Sequence, residues 1–205
     1  MSMMWFAFVF SFFSYGNTYE VGDVIMQRDA FAGGGGALQI LTLSRYNHVG
    51  IVVERNGTKY VAEAIGKVTY TPIDQYINRG VGYKILRFSE DLSPTQKQQI
   101  SKAVSTYKGK RYDASLSWSD NKMYCSELVF KVYEDIGIQL TRTRPMWRHA
   151  FAPIVPFAKI LSHTKTSWIP LPALYREGIR NAQLTDTVVT PGEIARSRKL
   201  KRISK

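Results

Sequence analysis

Residues 47–65 constrain this chain more than any other stretch. HVGIVVE is dense in β-branched side chains, Asn56-Gly57 is a dipeptide that favours a two-residue hairpin turn, and KYVAEAI brings the chain back. Placing Asn56-Gly57 at the turn pairs Arg55 with Thr58, Gly50 with Glu63 and His48 with Ile65. His48 and Glu63 then lie diagonally on one sheet face, close enough to touch. Gly50 carries no side chain, so open space is expected opposite Glu63. A slip of one residue sends Glu63 to the other face, so this pairing depends on the turn.

Further elements follow from local pattern. Val24, Ile25 and Met26 suit a buried strand after a Gly22-Asp23 turn; Lys67 to Thr71 extends the sheet, and Tyr83 to Phe88 is another strand. Gly33–Gly36 is a loop and not a phosphate-binding one, because no Gly-Lys-Ser/Thr follows. Ser93-Pro94-Thr95-Gln96 reads as a capping box opening a helix that Gly109 stops. A second helix runs from about Met123 to Ile136, with Cys125, Leu128, Val129, Val132 and Ile136 on one stripe and Glu127, Lys131 and Glu134 off it. Residues 138–192 read as loops with one or two short elements. Strands precede helices, which favours an α+β fold: a small antiparallel sheet packed on the Cys-bearing helix.

Cys125 is the sole cysteine, so no intramolecular disulfide forms. It sits near the start of the second helix, where unpaired N–H groups and a partial positive charge favour a thiolate and can donate to an oxyanion. A small buried hydrophobe on a helix stripe is the plain alternative. His48 opens a strand after a polar stretch, and an acid diagonal to it fits the third role of a triad. The three histidines (His48, His149, His163) lie far apart without metal-ligand spacing, so neither a metal nor another cofactor is expected.

Taken together, GDVI near the start, NHVGIV, YVAEAI, YD before YCSELV and a late VTPGEIARS resemble the circularly permuted papain-like amidases of the YiiX/YaeF type, within the NlpC-type superfamily. The likeness spans roughly residues 19 to 200. It implies a papain-like fold in permuted order, with the His-bearing hairpin ahead of the Cys-bearing helix. It further implies Cys125 as nucleophile, His48 as general base and acid, and Glu63 as the residue orienting His48. Ser126, Tyr124, Tyr112 and Asp113 are the pocket and oxyanion candidates, and VTPGEIARS is a segment expected to pack on the domain. The implied activity is hydrolysis of an amide or ester bond, in a cell-wall peptide or lipid-linked substrate, through a Cys125 acyl-enzyme. An amine or alcohol in place of water makes the same site an acyltransferase.

The ends of the chain bear on partners. Residues 5 to 13, WFAFVFSFF, are too short for the roughly 20 residues of a spanning helix. They fit a signal-peptide core or a hydrophobic arm, which places the protein in the cell envelope or outside the cell; the lack of Lys or Arg in residues 2 to 19 leaves a cytoplasmic location as the alternative. Net charge is +12, and six of those charges (Arg196, Arg198, Lys199, Lys201, Arg202, Lys205) fall in the last ten residues. The expected division is an arm over 1–18, the hydrolase domain over 19–195 and a basic tail over 196–205. That tail is either a solvated terminus or a contact for an anionic membrane surface, which supports a lipid-binding module as the competing function. No nucleic-acid-reading motif is present.

Overall fold

The hairpin forms in the register that its turn dictates. In the computed structural model, which describes residues 19–29, 45–149, 152–153, 155–156, 159 and 173–203, β2 (His48–Arg55) and β3 (Thr58–Ile65) run antiparallel with Gly50 opposite Glu63 and Arg55 opposite Thr58. Asn56 and Gly57 hold φ values of 50° and 75°, the pair of left-handed residues that a type I′ turn needs. The N-terminal arm over 1–18, the Gly33–Gly36 loop and residues 204–205 of the tail lie outside the described residues.

The hairpin is the middle of a larger sheet. β1 (Val24–Asp29) pairs with β2 on one side and with β5 (Gly80–Phe88) on the other, while β4 (Lys67–Pro72) pairs with β3. With the short β6 (Arg111–Tyr112), β7 (Lys122–Met123) and β10 (Leu200–Arg202), the order is β10-β5-β1-β2-β3-β4-β6-β7. All neighbours are antiparallel except β6 and β7. Eight strands exceed the small sheet read from the sequence, because the added strands are two or three residues long and show no alternation. A separate ladder joins β8 (Arg144–Pro145) to β9 (Thr187–Val188).

Helices cover both faces. α1 (Ile73–Arg79), unforeseen in the sequence, follows β4 directly. α2 (Pro94–Tyr107) begins with the expected capping box of Ser93 and Gln96. α3 (Cys125–Glu134) carries the cysteine at its first position, and α4 (Ala173–Asn181) and α5 (Pro191–Ala195) lie further along the chain. Val24, Met26, Val49, Ile51, Ala62 and Ala64 pack on Leu128, Val129 and Val132 of α3. Alternate residues Ile25, Val52 and Val61 pack on Tyr76 of α1. Residues 48–53 of β2 are therefore buried on both faces, and each such Val or Ile contributes about 1.5–3 kcal/mol of burial.

Three expectations need correction. The position opposite Glu63 is not open, since a Cβ on Gly50 would stand 2.4 Å from Val61 Cγ1, 2.9 Å from the Ala62 carbonyl oxygen and 3.3 Å from Tyr76 Cε2. Tyr76 of α1 fills that side, its hydroxyl donating to the Ile25 carbonyl at 2.9 Å. Glu127 and Lys131, off the apolar stripe of α3, are buried all the same. The segment from Asp113 to Asp120 covers that side of the helix, placing the Lys131 ammonium 2.8 Å from Glu127, 2.9 Å from Asp120 and 5.0 Å above the Trp118 ring. Burial drives the Glu127 pKa up against the pull of Lys131 and of the Tyr124 N–H, to about 7. Finally, the basic tail is not a free terminus through Arg202. The Ser197 hydroxyl donates to the Leu140 carbonyl at 2.5 Å, and Leu200, opposite Phe88, anchors an edge strand whose Lys201 and Arg202 stay exposed. Leu200 is the apolar anchor that a count of charges hides.

Candidate active site

His48 is the first residue of β2 and so stands at the end of the sheet, where groups from both helical layers converge. Its Nε2 meets Glu63 Oε2 at 2.5 Å, the contact that the diagonal placement on the hairpin anticipates. Cys125 also bears on this imidazole and favours its charged form. The His48 ring also lies beside Tyr76, with centroids 5.8 Å apart. Burial works against a charged His48, but Cys125 and Glu63 outweigh it and raise the pKa from an ordinary 6.5 to about 9.

Glu63 is fully buried, and every donor around it comes from a different element. His48 of β2 and the Arg79 Nη2 of α1 (2.6 Å) share Oε2, while the Thr71 hydroxyl of β4 (2.6 Å) and Arg79 Nη1 (3.0 Å) donate to Oε1. Burial alone would raise its pKa; His48, Arg79 and Thr71 prevail and hold the carboxyl at about 2, below an ordinary 4.5. Sequence reasoning missed Thr71 and Arg79. Neither sits in a motif, and the one available signal for Arg79 was a basic residue just before Gly80, as in the last turn of a helix.

Cys125 heads α3 after Tyr124, whose extended backbone (φ −98°, ψ 166°) breaks the chain into the helix and whose N–H donates to Glu127 Oε2 at 3.3 Å. The first N–H groups of a helix lack intrahelical acceptors, so those of Cys125 and Ser126 are free to serve an anion beside the sulfur. A narrow cleft opens there, lined by Cys125 with Tyr112, Leu116, Val188, Val189 and Pro191. Its far wall is pinned by Val189, whose N–H donates to the Tyr124 hydroxyl (3.1 Å) and whose carbonyl accepts from the Ser126 hydroxyl (2.8 Å). Tyr124 and Ser126 thus line the cleft with both hydroxyls committed to that wall. The expected packing of VTPGEIARS is what builds it: Thr190 and Glu193 form a capping box for α5, and Ile194 is fully buried.

Asp113 does not line the cleft. Its carboxylate accepts from the Ser115 N–H (2.9 Å), the Ser115 hydroxyl (2.5 Å) and the Ser117 hydroxyl (2.6 Å), so it shapes its own turn. That turn puts Leu116 into the cleft with φ of 57°, a conformation uncommon for a branched side chain. Among the described residues no three His, Cys, Asp or Glu side chains gather as a metal-binding set, and Glu63 already has four donors.

Comparison with known proteins bears on this arrangement. The family model described as permuted papain-like amidase enzyme, YaeF/YiiX, C92 family, matches residues 18–204. The uncharacterized protein YiiX of Escherichia coli K12 is 42% identical over 118 residues, which is 57% of this chain and 58% of that protein's length. The crystal structure of the metalloprotein YiiX from Escherichia coli O157:H7 superposes with a TM-score of 0.75 at 34% identity, over 91% of this chain and 97% of that one.

Proposed function

The chain belongs to the permuted papain-like amidases of the C92 family, and from that premise we propose that Cys125 is the nucleophile of this cysteine hydrolase, His48 its general base and acid, and Glu63 the group that orients His48. The observation that carries this reading is the 2.5 Å contact of His48 Nε2 with Glu63. It commits one ring nitrogen to the carboxylate, and in this reading the other serves the Cys125 proton.

The chemistry then runs as acyl transfer. His48 takes the Cys125 proton, and the sulfur attacks the carbonyl carbon of an amide. The N–H groups of Cys125 and Ser126 stabilise the oxyanion, and His48 returns the proton to the departing amine. Water, deprotonated by His48, releases the acyl group. We place the substrate among cell-wall peptides or lipid-linked amides in the cell envelope.

The test is to incubate the protein with extracts of wall peptides and of lipids and to weigh the adduct on Cys125. An acyl mass on Cys125 that water or hydroxylamine removes supports the reading. No such mass from any extract, together with equal labelling of the parent and of His48→Ala by a thiol probe, defeats it.

A pH profile gives an independent check. The folded pKa of His48 is raised, so its proton stays in place above the ordinary 6.5 and is lost as pH rises through about 9. Amide hydrolysis, which needs the imidazolium to protonate the leaving amine, therefore declines on the alkaline side near pH 9, a value belonging to the coupled Cys125–His48 pair. Glu63→Gln removes one of the groups that raise it, and the limb moves to lower pH.

A second reading rests on the surface around residues 141–148. Arg142, Arg196 and Arg144, the last paired with Glu193, line one depression, and Trp147, 54% exposed, lies under the Arg148 guanidinium at 4.9 Å. Such a surface suits an anionic membrane, and binding to vesicles containing phosphatidylglycerol that weakens with salt is its expected sign.

A further inference from the structure

We propose that Arg79 is a positioning residue of this site: its guanidinium holds the Glu63 carboxylate in charge and orientation so that Glu63 can direct His48. This rests on the reading of Cys125 and His48 given above and adds a fourth member to it.

The geometry is that of a fork on a carboxylate. Arg79 Nη1 reaches Oε1 at 3.0 Å and Nη2 reaches Oε2, the oxygen that meets His48, at 2.6 Å. Two parallel bonds fix a plane, which a single bond does not. The fork is itself braced. Arg79 Nη2 donates to Gln27 Oε1 at 3.3 Å, the Gln27 amide donates to the Tyr76 carbonyl, and the guanidinium lies 5.3 Å from the Tyr76 ring that flanks His48. Tyr76 and Arg79 are three positions apart on α1, so one short helix face holds both the imidazole and its carboxylate. Gly80 completes the brace, because a Cβ there would stand 2.5 Å from the Gln27 side chain.

Charge gives the reason. Once His48 has taken the Cys125 proton, sulfur, imidazole, carboxylate and guanidinium alternate in sign and sum to zero. Without Arg79 the same buried row carries one net negative charge, and burial then favours protonation of Glu63. The charged or titratable groups facing Glu63 are His48 from β2 and Arg79 from α1, with Cys125 from α3 beyond His48. Thr71 from β4 supplies a neutral hydroxyl, and the Tyr76 hydroxyl is engaged by the Ile25 carbonyl.

The test reads the rate at which iodoacetamide labels Cys125 in the full chain. Arg79→Met is expected to label about tenfold more slowly at pH 7, and its ratio to the parent falls further between pH 7 and pH 5 as Glu63 takes up a proton. Arg79→Lys restores the charge and gives a ratio that no longer changes with pH. In a Glu63→Gln background, Arg79→Met costs less than about threefold, because Arg79 acts through Glu63. If Arg79→Met does not fold, Arg79→Gln is read in its place. A ratio independent of pH in the uncharged variant, or an equal loss in the Glu63→Gln background, overturns the proposal. His48→Ala separates the two failures. If it labels slowly while the Arg79 variants behave like the parent, this inference alone falls. If it labels like the parent, the catalytic reading falls and this one with it.

Discussion

His48→Ala is expected to slow amide hydrolysis by about a thousandfold, the usual contribution of a positioned acid–base group, and to leave the fold intact. His48 lies at the start of β2 and not in the middle of the packed strand, so its loss frees a small space at the end of the sheet. Cys125 then keeps its place at the head of α3 but has no group to accept its proton or to return one to the leaving amine. Glu63 also loses a donor, yet Arg79 and Thr71 still satisfy it, which protects the variant from unfolding. The measurement is hydrolysis of the amide identified by the Cys125 adduct, alongside thermal melting. A rate within tenfold of the parent in a folded variant removes His48 from the mechanism. Glu63→Gln is the milder counterpart, since it changes the charge and keeps the shape.

Gly50→Val is expected to have the largest effect on stability. Overpacking a core costs about 1–3 kcal/mol where neighbours can yield. Here the first added carbon would already stand 2.4 Å from Val61 Cγ1 and 2.9 Å from the Ala62 carbonyl oxygen. A backbone oxygen in a sheet ladder does not swing aside, and Tyr76 closes the remaining direction. The cost falls at or above the top of that range, and the melting temperature drops by roughly 10 °C. Any relief moves β3 away from β2, which carries Glu63 away from His48. Thiol labelling in the folded fraction therefore slows as well. A variant that melts and labels like the parent shows that the hairpin has slack there.

These residues also show what a single sequence reveals. Asn56-Gly57 sets the register by local backbone preference, so the proximity of His48 and Glu63 could be read without coordinates. Cys125 at a helix start and the Ser93 capping box were legible for the same reason, each depending on neighbours within four positions, whereas the packing of residues 189–197 was expected only from the family resemblance. Arg79 and Thr71 were not, because their partner is reached across the sheet and α1 is too short to show a period. The burial of Glu127 and Lys131 was hidden by a cover, Asp113 to Asp120, that has no regular structure to predict. Gly50 was misread in sense, as room where the fold has none, since the filling ring comes from Tyr76 of a helix unseen in the pattern.

The separation of Leu200 from Phe88, which it faces across the sheet edge, has a consequence for the protein while it is being made. The ribosome releases β2 and β3 well before α3, so the imidazole and its carboxylate can pair while Cys125 is still inside the exit tunnel. The helix bearing the sulfur docks later, and Val189, which walls the cleft, emerges later still. A nascent chain thus holds an incomplete centre until the helix that bears the sulfur has docked on the sheet.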